Sequence, residues 1–253
     1  MTASGQLPVF YIGTIPPGAT SLTLDGDEGL HAAKVRRIRV GEQIRIADGA
    51  GAFADCAVES VAARTLVARV VRHGADPVRR PTITVVQALP KADRGSLAVE
   101  LLTEAGVDEI VPWQSRNCVA RWSDPQKAAR GVAKWAVTAR EAAKQSRRTR
   151  VPIIAPLIST RELLQRAKDQ RTIVLHESAT ASLMQQSFSG VSDLMVIVGP
   201  EGGVSPDEVA DLRGVGACVV HLGPEVLRTS SAGLAAVAVI SALTGRWDAI
   251  SRS

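Results

Sequence analysis

Little in this chain suits a disulfide-stapled, metal-binding or membrane-spanning protein. Only three cysteines, Cys56, Cys118 and Cys218, occur in 253 residues. Their wide separation gives neither a disulfide framework nor the paired spacing of a zinc knuckle, and favours a reducing compartment. The four histidines, His31, His73, His176 and His221, have no close metal-ligand spacing, so no metal centre is expected. A continuous run of about 18 apolar residues is missing. Residues Met1 to Phe10 also lack the basic stretch and apolar core of a secretory leader. The expectation is a cytoplasmic protein with no membrane segment. Also missing are the dinucleotide fingerprint G-x-G-x-x-G, a phosphate loop ending in Gly-Lys-Ser/Thr, and the local signature of a serine nucleophile. Dinucleotide and phosphate-loop cofactors lose support accordingly.

What is present is an ordinary apolar fraction of 45% and a formal charge of +5. The first is enough for one large domain or two modest ones. The second suits a phosphate-rich partner without requiring one.

Two rhythms divide the chain. Residues 7 to 72 read as short strands, Val9–Ile12, Ser21–Leu24, Gln43–Ala47, Phe53–Val61 and Thr65–Val71, with Asp48-Gly-Ala-Gly51 as a reversal. This spacing predicts a small β-barrel over 1–73. The turn-rich run His73-Gly-Ala-Asp-Pro-Val-Arg-Arg-Pro81 marks a boundary. A second domain is then predicted over 81–253, with strands Thr82–Ala88, Ile110–Trp113, Thr172–His176, Leu194–Val198 and Cys218–Leu222. These alternate with helices near 94–105, 125–147, 160–169, 205–213 and 229–244. Such alternation implies an α/β domain with a parallel sheet, whose ligand sits beyond the carboxyl ends of the strands.

Three strand ends are distinctive: His176-Glu-Ser178, Gly199-Pro-Glu-Gly-Gly203 and Leu222-Gly-Pro-Glu225. After the second comes a helix start with Ser205 as N-cap, Pro206 at N1 and Glu208 at N3. The glycines there serve either a closely approaching ligand or the turn geometry alone. The third turn leads through Leu227, Arg228 and Thr229 into a Gly/Ala-rich helix read as core. Positive charge at a helix start opposes the helix dipole, so Arg228 needs an acceptor: a carboxylate, a phosphate, a substrate oxygen, or a structural salt bridge.

Residues 125 to 150 carry many cations and few acids. On a helical wheel Lys127, Arg130, Lys134, Lys144 and Arg148 share an arc beside an apolar face of Val132, Trp135, Ala136, Ala139 and Ala143. A basic stripe on an anchored helix suits a phosphate backbone. A second cluster, Lys34-Val-Arg-Arg-Ile-Arg39, lies in the predicted barrel, which suggests RNA grasped by both domains.

Taken together and in order, several segments make the chain resemble the RsmE-type 16S rRNA uridine-N3 methyltransferases of the knotted SPOUT superfamily. They are His31-x-x-x-Val35-Arg-Arg37, Gly41-Glu-x-Ile44, Asp48-Gly49, Ala88-Leu-Pro-Lys91, Thr103-Glu-Ala-Gly106, Gln145-Ser-x-Arg148 with Pro152, His176-Glu177, Gly199-Pro-Glu-Gly-Gly203 and Leu222-Gly-Pro-x-x-Leu-Arg-Thr229. The resemblance spans nearly the whole length. It implies a PUA-like N-terminal β-barrel, a C-terminal α/β domain with a trefoil knot, and a homodimer. It implies S-adenosyl-L-methionine as cofactor, held by Leu175, His176, Glu177, Gly199, Pro200, Glu201, Gly202, Gly203, Leu222, Gly223, Leu227 and Thr229. It also implies 16S rRNA or the small ribosomal subunit as partner, contacted by Lys34, Arg36, Arg37, Arg130, Lys134, Gln145 and Arg148. Arg228 is the first candidate for stabilising negative charge on the uridine.

Departures from the family pattern are Arg36 in place of the usual Leu, Lys144 in place of Glu, and Ser230 in place of an acid beside the pocket. Rival readings are a knotted methyltransferase acting on transfer RNA or on a ribose 2′-hydroxyl, and a non-catalytic RNA-binding factor on the same fold.

Overall fold

The computed structural model describes residues 7–91 and 94–248; the outermost residues of both expected domains, 1–6 and 249–253, lie outside them. The chain divides into two compact units, one of residues 1–78 with 143–151, the other of residues 79–142 with 152–253.

The first unit holds β1 (Val9–Tyr11), β2 (Ser21–Leu24), the short helix α1 (Gly26–Leu30) running into a π-helical turn at His31–Val35, and then β3 (Gln43–Ala47), β4 (Ala52–Val61) and β5 (Leu66–Ala75). The sheet order is β1-β3-β4-β5-β2, with β1 and β3 parallel and the other pairs antiparallel. Side chains alternate between its faces, as strand geometry requires. Phe10, Leu22, Leu24, Ile44, Ile46, Cys56, Val58, Leu66 and Ala68 form one buried cluster with Ala32 and Ile38. Both edge strands and the central ones thus reach a single core, which only a strongly curled sheet allows. Curling is how a small sheet hides one whole face.

Val9, Tyr11, Ala47 and Phe53 point the other way and bury Ala143, with Val151 packed against them. The Tyr11 hydroxyl donates to the Arg148 carbonyl at 2.6 Å, and Lys144 pairs with Glu28 at 2.9 Å. These contacts place 143–151 in the first unit, although the sequence reading assigns the segment to the second domain. Its distance along the chain from the barrel strands hid that membership.

The second unit contains β6 (Thr82–Ala88), α2 (Arg94–Ala105), β7 (Glu109–Trp113), α3 (Pro125–Gln145, its last three residues counted with the first unit), β8 (Ile153–Ile154), α4 (Thr160–Ala167), β9 (Arg171–Leu175), β10 (Ala181–Ser182), β11 (Asp193–Val198), α5 (Pro206–Gly214), β12 (Cys218–His221) and α6 (Thr229–Leu243). The sheet is parallel throughout, in the order β10-β12-β9-β11-β6-β7-β8. The chain first builds outward from β6 to β8. It then crosses to the other side, where β11 slots between β6 and β9. Strand order reverses at this place, and in open parallel sheets that is where the strand-end loops part to admit a ligand.

Burial follows from composition: β11 reads Leu-Met-Val-Ile-Val over 194–198, all buried, as expected for a strand covered on both faces. The helices α4 and α5 each begin with a complete capping box, Ser159 with Glu162 and Ser205 with Glu208. In α6, a Cβ on Gly233 would lie 2.9 Å from Leu102 and 3.4 Å from Val198, so glycine here lets α6 settle closely onto α2 and β11.

The expected helix 125–147 ends at Gln145, because Arg147 adopts a positive φ of 58°. Arg148 is therefore off the helix, and Lys144 is engaged by Glu28. The basic stripe expected on the wheel reduces to Lys127, Arg130 and Lys134. On the apolar side Trp135, Ala139 and Ala143 are buried, and Ala136 is exposed.

Candidate functional site

Three loops at the carboxyl ends of β9, β11 and β12 converge in the second unit on one cleft of about 420 Å³. All twelve residues expected to hold the cofactor line it, and so does Arg228. Arg94, Val198, Val204, His221, Glu225, Val226 and Ala232 complete the lining. Of the missed residues, Arg94 opens α2 and so follows a fourth strand end, that of β6. The same strand-end rule points there once β6 is known to be central, and pairing order is not visible in sequence.

The Gly199–Gly203 turn is strapped from several directions. Asn117 Nδ2 donates to the carbonyls of Gly202 and Gly203 at 3.1 and 3.2 Å. The Gly203 amide closes the turn onto the Pro200 carbonyl at 2.9 Å, and Gly203 sits at φ +72°, a conformation costly for any residue with a Cβ. The Glu201 carboxylate accepts from the Lys91 amide at 3.1 Å, and Arg94 lies 3.7 Å from the same oxygen. Behind the loop, the fully buried Glu208 accepts from the Ser205 hydroxyl and amide, from the Arg116 amide at 3.0 Å and from the Thr160 hydroxyl at 2.9 Å. A buried carboxylate with this many donors is fixed in place.

The His176 loop forms the second wall. The Ser178 amide donates to His176 Nδ1 at 3.2 Å, with the Ser178 hydroxyl 2.9 Å from the same atom. An amide can only donate, so Nδ1 is the acceptor and a neutral ring carries its proton on Nε2. Glu177 Oε1 is 3.8 Å from where a Cβ on Gly203 would be, which brings this wall up to the first turn.

The third wall, Leu222–Arg228, is held differently. Val226 and Leu227 are 76% and 39% exposed. Arg228 is the N-cap of α6 by its backbone, its carbonyl accepting from the Ser231 and Ala232 amides at 2.9 Å, and no side chain caps the helix. Its exposed guanidinium makes no hydrogen bond or ion pair among the described residues. The structural salt bridge considered for Arg228 is thus not formed, and its charge is left at the cleft.

The expected RNA contacts lie elsewhere. Lys34, Arg36 and Arg37 are exposed in the first unit, at and after the π-helical turn, with Arg37 at φ +53°. Gln145 and Arg148 lie in the same unit. Arg130 and Lys134 are exposed on α3 in the second. Among the described residues, no group of three His, Cys, Asp or Glu side chains is placed to hold a metal ion, and no helix is long and apolar enough to cross a membrane.

Comparison with known proteins gives this arrangement its family. Residues 78–241 match the RNA methyltransferase domain, and residues 24–71 match the RNA methyltransferase PUA domain. The ribosomal RNA small subunit methyltransferase E of Mycobacterium bovis is 46% identical over 246 residues, covering 95% of this chain and 94% of its own. The chain belongs to the ribosomal RNA small subunit methyltransferase E family. The family member from Bacillus subtilis is 30% identical over 88% of this chain and 90% of its own. A methyltransferase E from Neisseria gonorrhoeae, solved bound to S-adenosyl methionine, superposes with a TM-score of 0.83 at 26% identity, covering 94% of this chain and 98% of that one. A Legionella pneumophila methyltransferase in complex with the same cofactor gives 0.84 at 25% identity, with 94% and 98% covered. In methyltransferase E terms, the PUA match runs from β2 to β5, and all three walls of the cleft fall within the methyltransferase match.

Proposed function

We propose that this chain methylates N3 of a uridine in 16S ribosomal RNA, with S-adenosyl-L-methionine as donor. One observation carries the reading: the His176, Gly199 and Leu222 loops, far apart in sequence, line one cleft with an unpaired arginine. The cleft suits the cofactor in size and chemistry. Its volume lies within the range of small-molecule sites, apolar Leu175, Val198, Leu222 and Leu227 suit a purine ring, and Glu177 and Glu201 offer acceptors for ribose hydroxyls or an amino group.

When bound, S-adenosyl-L-methionine supplies an electrophilic methyl group on a sulfonium. The protein's share is positioning and charge. Uridine N3 becomes nucleophilic as its proton passes to solvent, which spreads negative charge over N3, O2 and O4; its new bond to the methyl carbon would replace the carbon–sulfur bond, with a neutral thioether as leaving group. Arg228, whose guanidinium has no ion-pair partner among the described residues, is placed at the cleft to meet it. Backbone groups of Gly199, Pro200, Gly202, Gly203, Gly223 and Thr229, with His176 and Glu177, hold the cofactor.

We assign RNA contact to the two units jointly: Lys34, Arg36, Arg37, Gln145 and Arg148 in the PUA-type unit, Arg130 and Lys134 in the methyltransferase unit. The family fold implies a trefoil knot, with β11 inserted late between β6 and β9. A homodimer accords with the large apolar side chains that Leu97, Leu243 and Trp247 leave exposed on α2 and at the end of α6. A cytoplasmic location accords with ribosomal RNA as substrate and with thiols in no disulfide.

Titration calorimetry tests the cofactor assignment: S-adenosyl-L-methionine binds one site per chain, and absence of heat refutes it. For the RNA contacts, Arg130→Glu with Lys134→Glu abolishes binding to small-subunit RNA and spares cofactor binding. Wild-type affinity retained by the double variant across a salt series contradicts the assignment.

A further inference from the structure

The central strand β6 carries, near its end, a polar side chain with no part in the chemistry above. Gln87 is 1% exposed and lies in register with Val198 of β11, part of the cleft lining. Its Nε2 donates to the Ala88 carbonyl at 3.1 Å and to the Thr229 carbonyl at 3.4 Å. Both neighbours are backbone acceptors, so only the NH2 half of the amide can face them, and chemistry fixes which way it points. Oε1 is then left buried without a hydrogen-bond partner among the described residues.

An orphaned buried acceptor destabilises a fold, and an apolar side chain of similar shape avoids the penalty. Ile83, Val85 and Val86 on the same strand are such side chains, each fully buried. Glutamine stands at position 87 despite that penalty, and what it adds is the bond to Thr229. That residue opens α6 and directly follows Arg228, whose helix start has no side-chain cap. Gly233 seats the next turn of α6 on α2 and β11, so Gln87 fixes the first turn where the glycine contact does not reach.

We propose that Gln87 is a positioning residue for methyl transfer: by holding the Thr229 carbonyl it sets where α6 begins and hence where Arg228 is aimed. The inference rests on the methyltransferase reading, with Arg228 as the group that meets substrate charge.

Gln87→Met in the full-length protein tests it, because methionine keeps the length and volume and removes both the donor and the orphaned acceptor. Three quantities are compared with wild type: thermal midpoint, S-adenosyl-L-methionine affinity by calorimetry, and steady-state methylation of small-subunit RNA. The expected result is a midpoint unchanged or raised, a Kd within about threefold, and kcat lowered about tenfold or more at unchanged KM. Unchanged kcat overturns the proposal. So does a joint loss of midpoint, cofactor affinity and rate, the behaviour of a purely structural residue.

Gln87→Glu supplies an independent readout. Its neutral acid form can donate to the Thr229 carbonyl, its carboxylate cannot, and burial raises a carboxyl pKa. The ratio of its kcat to that of wild type therefore rises as pH falls, and a flat ratio counts against the proposal. Wild type inactive on ribosomal RNA sinks the methyltransferase reading itself, whereas active wild type with an equally active Gln87→Met sinks only the role of Gln87.

Discussion

The turns after β11 and β12 share one layout in sequence, a buried strand, a glycine-proline-glutamate loop and a helix start, yet they are held in opposite ways. The first is tied by Asn117, by Glu201 to the Lys91 amide, and by the Ser205–Glu208 capping box beneath it. The second leads through exposed Val226 and Leu227 to a helix without a side-chain cap, and Gln87 braces its start from the neighbouring strand by donating to the Thr229 carbonyl. The first amides of any helix have no intrahelical partner. In α5 the Ser205 hydroxyl accepts from the Glu208 amide, whereas in α6 the N-cap side chain of Arg228 accepts from none. The contrast fits the proposed division of labour, in which both turns hold the cofactor while Arg228, at the end of the second, is left to meet the substrate's charge.

Four substitutions probe that contrast, in order of falling effect. Arg228→Ala lowers methyl transfer to small-subunit RNA about 100- to 1,000-fold, the usual consequence of losing one preorganised charge-stabilising group. Calorimetry should find its cofactor affinity nearly unchanged, and loss of both together would break the contrast by making Arg228 part of the cofactor wall. Glu208→Ala orphans the donors of Ser205, Arg116 and Thr160, and denaturant unfolding should show about 2–3 kcal/mol of lost stability. A loss below about 0.5 kcal/mol would mean the first turn is not held by its cap. The glycines give the finest comparison. Gly203→Ala forces a Cβ into a φ of +72° and costs about 1–2 kcal/mol, measurable as a lower unfolding midpoint. Gly223→Ala has no positive φ and meets only Glu225 Oε2 at 3.5 Å, so its cost stays within about 0.5 kcal/mol. Equal costs would erase the distinction between the turns.

The sequence made the second unit's main strands and helices legible, because β6, β9, β11 and β12 are apolar runs bounded by turn formers and the α5 helix announces itself through Ser205, Pro206 and Glu208. It missed β8 and β10, two residues each, too short to show any period. It also missed α1 and the π-helical turn, where Gly26, Gly29 and mixed polarity give no helical stripe. Nine of the twelve lining residues were readable because they sit at strand ends, where chain order and space coincide; Leu175, Leu227 and Thr229 followed only from the family resemblance. Asn117, Gln87 and Arg94 were not readable, since each reaches the site through a pairing order that no local pattern encodes. The same holds for residues 143–151, whose place in the first unit depends on Ala143 fitting against Val9, Tyr11 and Phe53.

The proposed reaction is delivery of a methyl group to uridine N3 of the small-subunit RNA at the cleft formed by the His176, Gly199 and Leu222 loops. Nucleoside mass spectrometry on 16S ribosomal RNA from cells with and without this protein addresses it most directly. One N3-methyluridine should disappear with the protein and return with wild type but not with Arg228→Ala. An unchanged N3-methyluridine content, or a loss confined to 2′-O-methylated or transfer RNA nucleosides, would contradict it.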